Sequence, residues 1–484
     1  MSLRRALFFS YLEKYGSYLI GLGSTMIISR ILSPADIGAF SVGMALVGIV
    51  AVLREFGVST YLVQEAELTE ARIRAAFTLT TGTGLVLAMI VLALSGPAGA
   101  FYNDSRVTTI IVVLALGFAI TPLGSVAQSL LARELAFGTL TWVRLAYSLA
   151  VAALGIGMAA KGMGPMSLAW AATIAALVNT VLSFCARPHS CLLNFHPADL
   201  KRVFRVGGPQ AASAIVEDVA NSLPELILGR TQTLAATGLF SRARGLSQLA
   251  HQVIARAAGP VIFSALAKES REGRPVAPLY IHSTLCVTAT GWAALAVLAI
   301  LADPVIHVLY GPQWRESASL LRWLCGGAMI LLLTAGANHA LLAAGGALDL
   351  LRARLTWFPL HVACLVIGGL VGAEGMAAGT VASSAIISLF LCLAVRRRTG
   401  VGLRDHLLII RGSGPLVVMS VAGAAPALLI SANSLAGSMA ILAIAGLGAA
   451  IGFLAALRFG KHPLREEVTR FWAAWRAKRG NTAQ

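Results

Sequence analysis

The sequence predicts an all-α polytopic membrane protein of about fourteen transmembrane helices, two repeated six-helix bundles followed by two further helices. Three observations carry that expectation. Hydrophobic residues fill 57% of the 484 positions and charged residues only 12%, about half the charged share of a water-soluble domain. Apolar runs recur along the chain at the roughly twenty-residue length that a hydrocarbon core of about 30 Å demands of a helix. A stretch near residue 30 returns two hundred positions later.

Taken in order, the runs lie near 10-32, 37-63, 74-98, 107-131, 140-160 and 165-185, then near 204-229, 236-263, 279-301, 317-343, 352-372 and 376-395. Two more, 414-431 and 436-457, complete the set. The implied divisions are a first bundle at 1-190, a second at 191-400, two additional helices at 401-458 and a basic amphipathic tail at 459-484. In that tail Leu464, Val468, Phe471, Trp472 and Trp475 repeat at helical spacing opposite basic residues, the pattern of a helix lying in a membrane interface. Basic residues gather in alternate loops: Arg4 and Arg5, Arg72 and Arg74, Arg133, Arg187 with Lys201 and Arg202, Lys268 with Arg271, and Arg396 to Arg398. By the positive-inside rule both termini are cytoplasmic, which requires an even number of spans.

The net charge of +17 does not point to nucleic acid, because no basic run is interleaved with stacking aromatics. Its placement between apolar segments suits anionic lipid instead. The N-terminus has no short apolar core ending in a small-residue cleavage site, so it reads as the lead-in to the first span. Six dispersed cysteines without a CxxC pair or a histidine cluster read as reduced, packed thiols and give no metal site.

The returning stretch is "ISRILSPADIGAFSV" at 28-42 and "ILGRTQTLAATGLFSR" at 227-242. An offset of two hundred relates Ile27 to Ile227, Arg30 to Arg230, Ala35 to Ala235, Gly38 to Gly238, Phe40 to Phe240, Ser41 to Ser241 and Leu46 to Leu246. "FYNDSR" at 101-106 is echoed by "LYGPQW" at 309-314, and Gly162-Met163-Gly164 by the region of Gly372 and Gly375. The common order of these echoes argues for duplication. With six helices per copy both halves share one orientation, related by a pseudo-two-fold along the membrane normal. Two bundles around a cavity is the plan of an alternating-access carrier, and no selectivity-filter signature suggests a channel.

The repeated "R-x-L-S-P-A-D-I-G-x-F-S" hairpin, "ARELAF" at 132-137, "FRVGGPQAAS" at 204-213 and "LYGPQWRESASLLRWL" at 309-324 together resemble the polysaccharide transporter family. These are the O-antigen and exopolysaccharide flippases of the multidrug/oligosaccharidyl-lipid/polysaccharide (MOP) flippase superfamily. The resemblance covers roughly residues 5 to 400. It implies a MOP flippase-like fold in the bacterial inner membrane and the passage of undecaprenyl-diphosphate-linked oligosaccharide between leaflets for surface polysaccharide. Where such flippases carry an Asp-containing stretch this chain has "ELILGR" at 225-230, so an acidic role there rests on Glu225.

Basic residues placed in or beside the spans include Lys14, Arg30, Arg54, Arg144, Arg230, Arg242, Arg244, Arg256 and Arg322. Only Glu13, Glu55, Glu217, Asp218 and Glu225 oppose them. Each charge facing lipid costs roughly 2.5–3.5 kcal/mol at a helix centre, so these groups should face protein or a wet, net cationic cavity. That sign suits a diphosphate, which the planar arginine fork matches well. The candidate substrate-binding residues are Arg244, Arg256, Arg54 and Arg144; Arg30, Arg230 and Arg242, nearer span ends, are read as structural, and Arg144 also as a packing residue. Asp218 and Glu225, seven apart around Pro224, are the candidates for coupling Na+ or H+, with ion pairing to buried arginines as the alternative. No other cofactor is expected.

No nucleophile-base arrangement, metal spacing or phosphate-cradling loop stands out, and the longest expected loop, near 186-203, is too short to hold an acceptor, so an enzyme is not expected. The competing reading is an ion-coupled cation or drug antiporter of the same superfamily, whose cavity would want net acidic lining. Expected partners are the lipid-linked oligosaccharide, membrane lipids and a polysaccharide polymerase or copolymerase, with no nucleic acid.

Overall fold

The computed structural model describes residues 3–54, 58–65, 68–188, 215–430, 434–460, 462–467 and 469. The expectations for "FRVGGPQAAS", for most of the 186-203 loop and for the aromatic residues of the tail lie outside them.

Among the described residues every regular element is helical. The helices are α1 (Leu3–Ile31), α2 (Pro34–Arg54), α3 (Val58–Gln64), α4 (Glu70–Tyr102), α5 (Ser105–Arg133), α6 (Phe137–Ala160), α7 (Met166–Ala186) and α8 (215–231). They continue with α9 (Leu234–Arg271), α10 (Ala277–Ile300), α11 (Ala302–Leu309), α12 (Ser317–Leu332), α13 (Ala337–Ala343), α14 (Ala347–Val371), α15 (Ala373–Thr399), α16 (Leu403–Ala424) and α17 (Leu435–Phe459). A 3-10 turn at Pro312–Trp314 follows α11.

Eleven of these are long and apolar enough to cross a membrane, α12 and α13 counting together. The other three expected spans fall on α1, α8 and α9, which are helical but carry most of the intramembrane charge. The run expected at 317-343 is two helices, parted where Gly336 lies against Tyr280 and Thr284. The weak break before 352 is a turn in which Gly345 takes φ +70°, left-handed backbone that favours glycine.

By internal packing the chain divides into two compact units, Met1–Ser241 and Arg242–Gln484, with the division inside α9. In the first, α5 is the central helix. Its buried Ile110, Ile111, Leu114 and Phe118 meet Val42 and Val47 of α2, Leu87 and Val91 of α4, and Ala169 of α7. Lower on α5, Val126 and Leu130 meet Val58, Tyr61 and Leu62 of α3. The "ARELAF" motif acts here: Arg133 Nη1 donates to the Leu62 and Glu65 carbonyls, closing the C-terminal end of α3. Helix α1 packs on α6 through polar pairs, Ser148 Oγ donating to Ser17 Oγ at 3.0 Å and Arg144 Nη1 to Glu13 Oε1 at 2.9 Å.

In the second unit Tyr280 of α10, Leu341 of α13 and Leu391 and Val395 of α15 share one core. The last two helices join it through α10: Thr288 and Ser413 hydroxyls stand 2.8 Å apart, and the Tyr280 hydroxyl is 3.4 Å from His406 Nε2. Between α16 and α17 the backbones touch, since a Cβ on Gly423 would stand 2.0 Å from the Gly448 carbonyl oxygen, and the reverse holds at the same distance. Membrane helices have no hydrophobic drive to associate, and such close approach supplies van der Waals contact in its place.

Candidate functional site

Each copy of the repeated hairpin starts its second helix in the same way. Ser33 caps α2, the Asp36 amide donating to its hydroxyl at 3.2 Å, while Asp36 answers by accepting from the Ser33 amide at 3.3 Å and hydroxyl at 2.7 Å. This reciprocal box with Pro34 at the first helical position is what the motif encodes locally. In the second copy Thr233 keeps the cap, accepting from the Ala236 amide at 3.1 Å, but Ala236 stands where Asp36 stood.

The two copies then meet. A Cβ on Gly38 would fall 1.7 Å from the Leu234 carbonyl oxygen, and one on Gly238 would fall 1.9 Å from the Pro34 carbonyl oxygen. Those pairs are equivalent under the two-hundred offset, so the hairpins pack on each other as symmetric partners. One turn further, Ser41 Oγ donates to Ser241 Oγ at 2.9 Å. No carboxylate or arginine takes part in these three contacts, which consist of one hydroxyl bond and close backbone packing.

Around this joint the copies differ in chemistry. In the first, Arg106 holds Asp104 through Nε at 3.1 Å and Nη2 at 2.8 Å and reaches Asp36 through Nη1 at 3.0 Å. The guanidinium keeps the Asp104 carboxyl below its usual range, chiefly by direct hydrogen bonding. Asp104 also caps α5, accepting from the Arg106 amide at 2.8 Å. A depressed carboxylate stabilises fully above its unfolded value, near pH 4, and that stabilisation is lost as pH falls through the lower native value. Asp104→Asn, which keeps the cap, should therefore lower the melting temperature of the detergent-solubilised protein at pH 7. The gap from wild type should narrow below about pH 4. A gap independent of pH would place the Asp104 contribution elsewhere.

Beside this triad, Phe101 lies under Arg230, whose guanidinium carbon is 5.0 Å from the ring centre, and Tyr102 donates to the Leu226 carbonyl at 3.1 Å. In the second unit the echoing loop gives Tyr310 and Trp314, both buried, with the guanidinium carbon of Arg242 5.8 Å from each ring centre. The Nε of Arg242 is fully buried and has no hydrogen-bond acceptor among the described residues. Two aromatic faces provide cation–π attraction of order 0.5–2 kcal/mol each but no counter-charge.

The residues read from the sequence as a site are distributed as follows. Arg244 is partly buried on α9, and with the Gln248 amide oxygen turned toward it, its Nε and Nη2 are each 3.2 Å from that oxygen. Arg144 is half-exposed and ion-paired to Glu13 across α1 and α6. Arg54 ends α2 and Arg256 lies within α9, but both side chains are outside the described residues. On α8, continuous through Pro224, Asp218 is exposed and Glu225 is buried. The two carboxylates share a helical face by angle but not an environment.

Arg242 is the residue that sequence reasoning set aside. Its signal was present in the repeat: the equivalent position two hundred earlier is Val42, a core residue of the first unit. An arginine placed into an otherwise matched apolar register is costly. Among the described residues no three His, Cys, Asp or Glu side chains converge on a metal-sized site.

Compared with known proteins, residues 27–319 match a family model described as polysaccharide biosynthesis protein. The chain is 23% identical over 373 residues to the lipopolysaccharide biosynthesis protein WzxC of Escherichia coli, covering 75% of this chain and 74% of that protein. It is also 23% identical to the succinoglycan biosynthesis transport protein ExoT of Rhizobium meliloti, covering 64% of this chain and 63% of that protein. Among solved structures, the lipid II flippase MurJ in an inward closed conformation superposes with TM-score 0.74 at 14% identity, covering 94% of this chain and 99% of that one. An inward-facing multidrug resistance MATE transporter of the MOP superfamily superposes with TM-score 0.64 at 15% identity, covering 79% and 94%.

Proposed function

The chain belongs to the polysaccharide biosynthesis protein family, a multi-pass membrane protein and not an enzyme, and on that footing we propose that it is a flippase for a lipid-linked oligosaccharide. The cargo in this reading is undecaprenyl-diphosphate-linked oligosaccharide, moved from the cytoplasmic to the periplasmic leaflet of the bacterial inner membrane by alternating access. Both termini are cytoplasmic, and α1, α8 and α9 cross the bilayer with the eleven apolar helices. The bundles at 1-190 and 191-400 form the moving halves, and a polymerase or copolymerase receives the product.

The observation that supports this cargo best is Arg242. A buried guanidinium flanked by aromatic faces, with an unused donor, is poised for an anion, and a diphosphate places its charge at one point of an otherwise neutral lipid-linked sugar. Arg244, Arg256 and Arg54 would add to the cationic lining, while Arg144 is held by Glu13. A carrier of organic cations would want carboxylates in that role. The buried Glu225 supports an ion-coupled step, H+ or Na+, in the same cycle.

The test is a liposome assay with a fluorescent polyprenyl-diphosphate oligosaccharide in both leaflets and a membrane-impermeant quencher outside. Wild-type protein should expose the inner-leaflet pool, and Arg244→Ala and Arg256→Ala should slow that exposure while staying folded. If wild type exposes no more than empty liposomes under either an ion gradient or a membrane potential, the flippase reading fails and cation antiport is measured next.

A further inference from the structure

A second site lies in the second unit, on the open face of α12. Ser319, Arg322, Trp323, Gly326 and Ile330 follow one another at helical spacing and, with Val381 of α15, line a groove of about 490 Å³. The opposite side of α12, from Leu320 and Leu321 to Cys325 and Ala328, is buried in the protein, so this is the face the helix leaves uncovered. Along most of its length the groove is hydrocarbon and indole. At one end, in the second turn of α12, Arg322 pairs with Asp303 of α11, and both side chains remain about half exposed, at 47% and 50%.

An open apolar groove on a membrane-spanning helix takes up hydrocarbon more readily than water. Arginine and tryptophan one turn from a helix end mark the depth of lipid headgroups, where a charged tip reaches the interface and an indole sits best. The occupant is then decided by the charge at that end. A purely anionic headgroup, or the diphosphate of a lipid-linked sugar, would bring negative charge against the Asp303 carboxylate as well as the Arg322 guanidinium. A zwitterion meets both: its phosphate replaces the carboxylate on Arg322 and its ammonium replaces the guanidinium on Asp303. A primary ammonium can donate hydrogen bonds to Asp303, which a quaternary one cannot.

We infer that the α12–α15 groove is a binding site for a zwitterionic phospholipid with a primary amine, phosphatidylethanolamine in chemistry, its headgroup on Arg322 and Asp303 and one acyl chain along Trp323, Gly326 and Ile330. This inference is independent of the cargo reading, since the groove discriminates against a diphosphate.

Gly326 provides a clean block. A Cβ there meets nothing within 4 Å, so Gly326→Leu fills the groove without disturbing α12. Purified protein is stripped of lipid, re-equilibrated separately with dioleoyl phosphatidylethanolamine, phosphatidylglycerol or phosphatidylcholine, and examined by native mass spectrometry, with melting temperatures confirming the fold of each variant. Wild type should retain phosphatidylethanolamine about three- to fivefold better than the other two, the scale of a half-exposed ion pair. Asp303→Asn should reverse the preference toward phosphatidylglycerol, and Gly326→Leu should lower retention of all three. Equal retention by wild type and both variants, or a wild-type preference for phosphatidylglycerol, overturns the proposal.

Discussion

Joined by a disulfide, the cysteine pair Ser41→Cys and Ser241→Cys should reduce transport to the background of empty liposomes, and a reducing agent should restore it. The two hydroxyl oxygens are 2.9 Å apart, a separation from which oxidation can join two cysteine sulfurs placed at these positions. Alternating access requires the repeated hairpins to part at one stage of the cycle, and a covalent link across their joint would hold one state. Either cysteine alone should transport normally, because a single serine hydroxyl bond is worth only about 1 kcal/mol. The six native cysteines are replaced first, and cross-linking is followed by gel mobility together with the flipping assay. Full transport by fully cross-linked protein would show that this joint never opens. Gly38→Leu approaches the same joint from the other direction: its side chain would collide with the Leu234 carbonyl, so it should hold the hairpins apart and slow the cycle without any oxidant.

Arg242→Met should lower transport by about ten- to a hundredfold, the loss of one charge-assisted bond of about 1.5–3 kcal/mol to a phosphate oxygen. Its effect on stability should have the opposite sign. A buried guanidinium with no acid partner among the described residues is a standing cost to the fold, and a methionine of similar length between Tyr310 and Trp314 removes that cost while keeping the packing. The melting temperature should therefore hold or rise as activity falls, and Arg242→Lys, which keeps the charge but not the planar fork, should fall between. If Arg242→Met instead unfolds the protein, and the residual folded fraction transports at the wild-type rate, Arg242 is a packing residue and the anion site lies on other arginines.

Much of this was legible in the chain. Apolar runs of bilayer length located the eleven apolar crossings, because hydrocarbon leaves a helix no alternative to bonding its own backbone. The two-hundred offset also carried through, because duplication preserves local caps and close-approach glycines together: Ser33 and Thr233 cap alike, and Gly38 and Gly238 take equivalent places.

The candidate site was less legible. Helical angle put Asp218 and Glu225 on one face and could not say that one is exposed and the other buried. Arg144 looked available for a cargo until its partner Glu13 was seen across α1 and α6. Arg242 was read as a span-end residue, since proximity along the chain does not reveal that a loop seventy positions away folds its rings over the guanidinium.

By itself the sequence determined that this protein lives in a membrane, that it is helical, that it is built from a doubled hairpin and that its intramembrane charge is mostly positive. All four follow from composition and period, which depend on neighbours a few residues apart. Tertiary structure alone decided which charges are matched. A side chain's electrostatic partner is set by long-range packing, so among the described residues Arg106 finds two carboxylates, Arg144 one, and Arg242 the faces of Tyr310 and Trp314.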